Sequence, residues 1–149
     1  MRLQKSSLYG LYAVLELAAC PERRLSTAEI AETYGISTHH LAKVMRTLVR
    51  AGLVLSVLGP GGGYRFAGNA ARVTLMDVIR LFEPMGSEIE PFDDETAAAT
   101  GVGQALRGVR DEIDELAQAT LSSITLKSLL KIARRQAQSV TGATAANPA

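Results

Sequence analysis

The chain has 149 residues, of which 47% are apolar and 21% are charged. This composition is typical of a folded globular protein and excludes a wholly disordered chain. The single cysteine, Cys20, excludes an internal disulfide and is too few for an iron–sulfur cluster or a structural zinc site held by one chain. No segment reaches the ~18 consecutive apolar residues of a membrane span. We therefore expect a cytoplasmic protein that has no metal and no membrane association.

The net charge is +1, but the charged residues are unevenly distributed along the chain. Residues 1–72 contain nine Lys and Arg against four Asp and Glu, a net charge of +5. Residues 73–149 contain seven against eleven, a net charge of −4. A basic front half suits a module that binds a polyanion, and the acidic back half indicates a different role.

Apolar residues at three- and four-residue spacing predict three helices in the first third of the chain. Hydroxyl side chains that accept hydrogen bonds from the first turn begin the second and third helices, and glycines end them. The predicted bounds are Ser7–Ala19, ended by Pro21; Ser26 or Thr27 to Gly35; and Ser37 or Thr38 to about Ala51, ended by Gly52.

A β-hairpin is predicted directly after the third helix. Leu53–Leu58 is rich in branched apolar residues, residues 59–63 form a tight turn of glycines and one proline, and Tyr64–Phe66 returns. A nucleotide-binding loop does not fit this glycine run, because a strand follows it and the chain lacks a Gly-Lys-Ser/Thr sequence.

The back half is predicted to be helical around one irregular loop. Thr74 caps a helix that Pro84 ends, and residues 84–101 form a flexible acidic loop. Steps of four and three residues follow, the heptad spacing of a helix that packs along another helix. These positions are Val102, Leu106, Val109, Ile113, Leu116 and Thr120. Thr125 caps a last helix, and the polar tail from Ser139 is expected to be disordered.

Residues 27–44 carry the strongest functional signal. Two helices that cross steeply need a small residue at their closest approach, which Ala31 supplies. The sharp turn between them favours a left-handed backbone, which Gly35 adopts most easily. The angle between the helices is filled by Ile36, Leu41 and Val44. This is the packing rule of a helix-turn-helix.

The other side of the third helix carries hydroxyl, imidazole and basic groups. The amino end of such a helix enters the major groove, and cations further along suit phosphates. A glycine-rich turn also allows its backbone N–H groups to approach phosphates closely. The predicted DNA contacts are Arg2, Lys5, Thr27, Ser37, Thr38, His39, His40, Lys43, Arg46, Pro60, Gly61, Gly62 and Arg65. A metal site on the two histidines is disfavoured, since adjacent helical positions diverge by ~100°.

Several motifs together carry a family resemblance. They are Met1-Arg2-Leu3 with Lys5-Ser6, Ile30-Ala31 to Leu48, Ala51-Gly52-Leu53-Val54, Gly59-Pro60-Gly61-Gly62-Gly63-Tyr64-Arg65, Thr74-Leu75-x-Asp77-Val78-Ile79 and Ile124-Thr125-Leu126. Over about residues 1–132 the chain resembles the Rrf2 family of bacterial winged helix-turn-helix transcriptional regulators. The resemblance implies a homodimer, joined through the long helix from Val102, on a palindromic operator in double-stranded DNA.

The chain departs from the family pattern in two places. Cluster-binding members carry three cysteines in the loop after the fourth helix, whereas residues 84–101 contain none. We therefore expect no iron–sulfur cluster, and the effector is left open. Many members also carry Arg before the glycine motif, where this chain has Leu58, and Arg65 is the nearest cation.

The sequence thus predicts a mainly α fold with a small β-hairpin wing and a long dimerisation helix. Residues 1–83 form the DNA-binding domain, 84–101 the acidic loop, 102–138 the dimerisation and last helices, and 139–149 the tail. The predicted function is a repressor and not an enzyme. Two alternatives stay open: a winged-helix module that binds proteins, and a thiol redox sensor that acts through Cys20.

Overall fold

The computed structural model describes residues 2–83, 96 and 99–145. Most of the predicted acidic loop, residues 84–101, lies outside this part of the chain. In chain order the elements are α1 (Lys5–Ala19), α2 (Thr27–Tyr34), α3 (Thr38–Arg50), β1 (Val54–Val57), β2 (Gly63–Phe66), α4 (Leu75–Ile79), α5 (Gly101–Ser123) and α6 (Leu126–Ala145). No helix of the described residues is long and apolar enough to cross a membrane.

The core forms around α1, which packs against α2, α3 and α4. Its side chains at three- and four-residue spacing share one face and are buried there, among them Val14 and Leu17. From α3 the side chains of Leu41, Met45 and Leu48 enter the same core and are fully buried. Removing these side chains from water is the main force that holds the first three helices together.

The amino end of α1 is capped by a residue far away in the sequence. Glu83 follows α4, and its Oε1 accepts hydrogen bonds from the Gln4 N–H and from the Ser7 hydroxyl. Ser7 is completely buried, so this bond satisfies its hydroxyl. The long-range cap explains why α1 begins at Lys5, two residues earlier than its own sequence indicates.

Gly10 permits a close contact between α1 and the segment after α4. A Cβ at Gly10 would lie 2.4 Å from Cε2 of the Phe82 ring. We expect Gly10→Ala to lower the free energy of unfolding by about 1–3 kcal/mol, because the ring must move out of a packed position. Urea denaturation measures this change. The matched control is Gly108→Ala on α5, where a Cβ has open space and alanine favours the helix.

The wing is a two-stranded antiparallel hairpin in which Val54 pairs with Phe66 and Val57 pairs with Gly63. Strand β1 is one residue shorter at each end than the predicted Leu53–Leu58, and β2 begins one residue before the predicted Tyr64. Leu25, just before α2, extends the pairing: its N–H donates to the Tyr64 carbonyl at 3.0 Å, and the Tyr64 N–H donates to the Leu25 carbonyl at 2.8 Å. This pairing fixes the wing to the start of the helix-turn-helix.

The carboxyl-terminal helices return to the core. The Leu75 N–H donates to the Ile124 carbonyl at 2.9 Å, and the Leu126 N–H donates to the Val73 carbonyl at 2.9 Å. Leu126 is fully buried, and the Thr125 hydroxyl caps α6 by accepting from the Ser128 N–H at 3.1 Å. Helix α5 contacts α4, and helix α6 contacts α1.

Two predicted helix ends are wrong. Helix α4 stops at Ile79, and hydrogen-bonded turns continue the chain to Glu83. In this segment Phe82 packs against Gly10, and the Glu83 carboxylate accepts from the Gln4 N–H. Helix α6 continues to Ala145, so the expected disordered tail does not begin at Ser139. Residues 139–145 lack proline, and side-chain hydroxyls at 139 and 141 donate back to carbonyls one turn earlier, which is compatible with a helix.

Candidate nucleic-acid interface

A complete cap starts the helix-turn-helix at α2. The Ser26 hydroxyl accepts from the Glu29 N–H at 3.1 Å, and the Glu29 carboxylate accepts from the Ser26 N–H at 2.7 Å. These hydrogen bonds, the backbone bond first, lower the pKa of Glu29. At the other end Gly35 has a φ of +62°, and the Ile36 N–H donates to the Ala31 carbonyl at 2.9 Å. The turn therefore has the predicted left-handed glycine.

A tyrosine pair fixes α2 against α1. The rings of Tyr12 and Tyr34 stack with centroids 4.6 Å apart and planes inclined by 6°. The Tyr34 hydroxyl donates to the Glu16 carboxylate at 2.6 Å. Burial, and then this hydrogen bond, raise the pKa of Tyr34 well above its ordinary value. The phenol thus stays a donor over the physiological pH range and holds the two helices in one orientation.

Helix α3 has one buried side and one exposed side. Its buried side consists of Leu41, Val44, Met45 and Leu48. The polar residues of its exposed side are Thr38, His39, His40, Lys43, Arg46 and Arg50, and Ser37 directly precedes the helix. The Ser37 side chain makes no capping hydrogen bond, so its hydroxyl is not used to start the helix. The exposed side therefore presents hydroxyl, imidazole and cationic groups from a rigid support.

A groove of about 250 Å³ lies between the amino end of α1 and α3. Its lining is Lys5, Ser6, Tyr9, His40, Lys43, Val44, Thr47 and Phe82. Two of these side chains are cationic at neutral pH and none is acidic. The groove therefore brings the predicted contact Lys5 together with His40 and Lys43, which come from a different helix. Arg2 and Arg65 do not line it.

Three cations of this surface have no acidic partner among the residues that the structure describes. Among the described residues an ion pair joins Arg23 to Glu29 at 3.9 Å, and neither residue belongs to α3. Lys43, Arg46 and Arg65 are exposed and have no carboxylate within ion-pair distance among residues 2–83, 96 and 99–145. Their positive charge is therefore available to an external anion.

The tip of the wing is held by backbone geometry. Gly59 and Gly61 have φ angles of +91° and +69°, and the Gly62 N–H donates to the Gly59 carbonyl at 2.9 Å. A Cβ at Gly62 would lie 2.3 Å from the Val57 carbonyl oxygen. Gly62 is therefore required by space, whereas Gly61 is favoured by its backbone angle.

Gly62→Ala is expected to lower the free energy of unfolding by about 2 kcal/mol, because backbone atoms must separate to admit the methyl group. Urea denaturation measures the change. Gly61→Asn is the control: its position has open space, and Asn tolerates the left-handed region. Equal stability of both variants would show that the turn is not packed as described.

A stripe of exposed apolar side chains runs along α5. Val102, Leu106, Val109, Ile113 and Leu116 are each more than half exposed, and Thr120 ends the series. No residue of α5 is buried. An aligned apolar stripe of this length on a charged helix is typical of a surface that another protein covers.

Sequence reasoning missed part of this surface and left other parts undecided. It did not select Ser6, Tyr9 or Thr47, although Lys5 with Tyr9 and Lys43 with Thr47 are four apart and share helix faces. Thr27 is half-buried as the first residue of α2, and Pro60 and Gly61 are exposed. Cys20 is exposed just after α1, and its redox role stays a prediction.

Comparison with known proteins identifies the family. The model of the Rrf2 family, described as an iron-dependent transcriptional regulator, matches residues 3–132. The chain belongs to the Rrf2 family. This membership confirms the predicted resemblance and the prediction of a DNA-binding transcriptional regulator that is not an enzyme.

Three known proteins are similar to this Rrf2 protein over most of its length. BadM of Rhodopseudomonas palustris, whose name describes it as an HTH-type transcriptional regulator, is 55% identical over 133 residues, 89% of this chain and 83% of BadM. The structure of CymR, the global cysteine regulator of B. subtilis, is 30% identical with a TM-score of 0.73, covering 89% of this chain and 98% of CymR. IscR of T. potens is 31% identical with a TM-score of 0.65, covering 89% and 88%. The mainly helical winged fold is thereby confirmed.

The residues of one chain of this Rrf2 protein do not provide the set of thiolates that holds an iron–sulfur cluster. Its sequence has one cysteine, and that residue is exposed. Among the described residues no group of three or more His, Cys, Asp and Glu side chains is arranged to hold a metal ion. The rings of His39 and His40 have centroids 6.1 Å apart and planes inclined by 54°. Soft thiolate ligands for a cluster are therefore lacking in the sequence.

Proposed function

We propose that this Rrf2 protein is a homodimeric repressor that reads a palindromic operator. The observation that carries the proposal is the division of α3: four of its apolar side chains are buried, while Lys43 and Arg46 are exposed with no carboxylate within ion-pair distance among the described residues. Helix α3 lies in the major groove, and the wing lies on the adjacent backbone or minor groove.

The contacts divide by chemistry. The first turn of α3 reads base edges through Thr38, His39 and His40, because the amino end of a recognition helix approaches the bases. Lys43 and Arg46 bind phosphates, and Lys5 binds the same backbone across the groove from Lys43. The supporting contacts, to backbone phosphate and sugar, are Arg2, Thr27, Ser37, Pro60, Gly61, Gly62 and Arg65.

The second copy binds through α5. Pairing of the two stripes buries five apolar side chains of each chain that are otherwise in contact with water. For a palindromic operator, we expect a two-fold axis through the paired helices to set the two α3 helices about 34 Å apart, one turn of DNA. We assign repression to this dimer because occupancy of a promoter by a dimer is sufficient to block transcription. The site of action is the cytoplasm, where bacterial DNA lies.

We propose further that the dimer works without an iron–sulfur cluster. Protein purified without oxygen is expected to be colourless and to bind DNA, since no set of thiolates in one chain is available for a cluster. An absorption spectrum of the purified protein measures this. A visible band that disappears in Cys20→Ala would contradict the expectation and indicate a cluster shared between chains.

A gel-shift titration with fragments of genomic DNA, at two salt concentrations, tests the proposed function. We expect a few fragments to shift at low protein concentration, with an affinity that falls steeply with salt. A complete lack of shift, together with specific binding of a protein, would instead support the winged-helix module that binds proteins. Binding that is insensitive to salt would exclude the phosphate contacts.

A further inference from the structure

The tip of the wing carries the most exposed large apolar side chain of the described residues. Leu58 is 92% exposed, compared with 47% for Leu55 on the same hairpin. Leu58 directly follows β1, at the point where the chain enters the glycine turn. A single exposed leucine needs no explanation on an ordinary surface. This one lies at the tip of the element that, in the proposed function, faces DNA.

The tip is also free of charge in the sequence. Residues 51–64, between Arg50 and Arg65, contain no Lys, Arg, Asp or Glu. Arg65 lies on β2 opposite Leu55, within the strands and not at the turn. The tip of the wing therefore has no cation that the negative potential of a narrow minor groove could attract.

The turn restrains the backbone that follows Leu58. Gly59 and Gly61 are in the left-handed region, Pro60 fixes its own φ, and the Gly62 N–H closes the turn onto the Gly59 carbonyl. Because the strands and the turn already restrain the backbone at the tip, little backbone entropy is lost when a partner buries the Leu58 side chain.

We infer that Leu58 is an apolar wedge that inserts into the minor groove of the operator and contributes to its sequence specificity. This inference rests on the proposed function. A leucine between base pairs gains burial of its side chain but must partly unstack a step, so flexible pyrimidine–purine steps are favoured there. The wing then contributes affinity that does not depend on salt, unlike the phosphate contacts of α3.

The test uses the full-length dimer and a labelled duplex recovered by the wild-type protein from a random pool. We expect Leu58→Ala to lower affinity on the order of tenfold with an unchanged salt slope, since an apolar contact is lost. Leu58→Arg is expected to bind with a salt slope steeper by about 2, one new phosphate-facing cation for each chain. Energy transfer between dyes at the duplex ends should report a smaller bend with Leu58→Ala.

Leu55→Ala is the matched control, an exposed leucine on the same hairpin away from the tip, and its affinity should equal that of the wild type. The inference is wrong if Leu58→Ala binds as tightly as the wild type while Lys43→Ala binds weakly, and in that outcome the proposed function still stands. Loss of the dimer by Leu58→Ala in sedimentation would also overturn it, because the leucine would then bind protein. If the wild-type protein recovers no duplex at all, it is the proposed function that fails.

Discussion

Lys43→Ala and Arg46→Ala are each expected to weaken operator binding by about tenfold at moderate salt. Both side chains are exposed on α3 and lack an acidic partner in the described part of the chain, so each is available to a phosphate. The slope of log K against log salt should fall by about 2 for each variant, because a dimer loses one phosphate contact in each half. Fluorescence anisotropy at several salt concentrations measures both quantities.

The controls remove the same charge elsewhere. Lys131→Ala and Arg134→Ala lie on α6, where both side chains are exposed, and they change the net charge by the same amount. We expect them to leave the slope within experimental error of the wild type. If the α6 variants weakened binding as much as the α3 variants, the affinity would arise from net charge alone, and α3 would lose its assigned role.

The double variant Ile113→Asp with Leu116→Asp is expected to be monomeric. In the proposed dimer these side chains lie at the centre of the buried stripe, where a carboxylate has no partner. The dimer should weaken on the order of a thousandfold or more, which corresponds to about 4 kcal/mol. Operator affinity should fall with it, since one chain then reads only half of the palindrome. Analytical ultracentrifugation measures the association.

Gln104→Asp with Ser122→Asp provides the control for added negative charge. Both positions are exposed, and at about 100° per residue they lie on the side of α5 opposite the stripe. This variant should remain dimeric. A dimer that persisted in the Ile113 and Leu116 variant, with a normal circular dichroism spectrum, would remove α5 from the interface.

The helix-turn-helix could be predicted because its signals are local. Ala31, Gly35 and the apolar positions of α3 lie within one short segment, and each has the burial or backbone angle that its residue type requires. The hairpin could also be predicted from the sequence, because its glycine run is compatible with few structures other than a turn. The exposed stripe on α5 follows from spacing alone.

The features that were missed depend on residues distant in the sequence. Nothing near Gln4 indicates that Glu83 caps α1, since the two are separated by 79 positions. The close approach of Phe82 to Gly10 also joins residues that are distant in the sequence, so no local pattern predicts it. The groove between α1 and α3 likewise forms only when the two helices pack. Tertiary contacts, and not local propensity, set these details.

The central claim is that two copies of α3 read two halves of one duplex site. Selection of bound duplexes from a random pool, followed by sequencing, tests it most directly. We expect an inverted repeat whose half-sites have centres about one helical turn, or a small multiple of it, apart. Recovery of sequences that share no inverted repeat, or no enrichment above the starting pool, would contradict it.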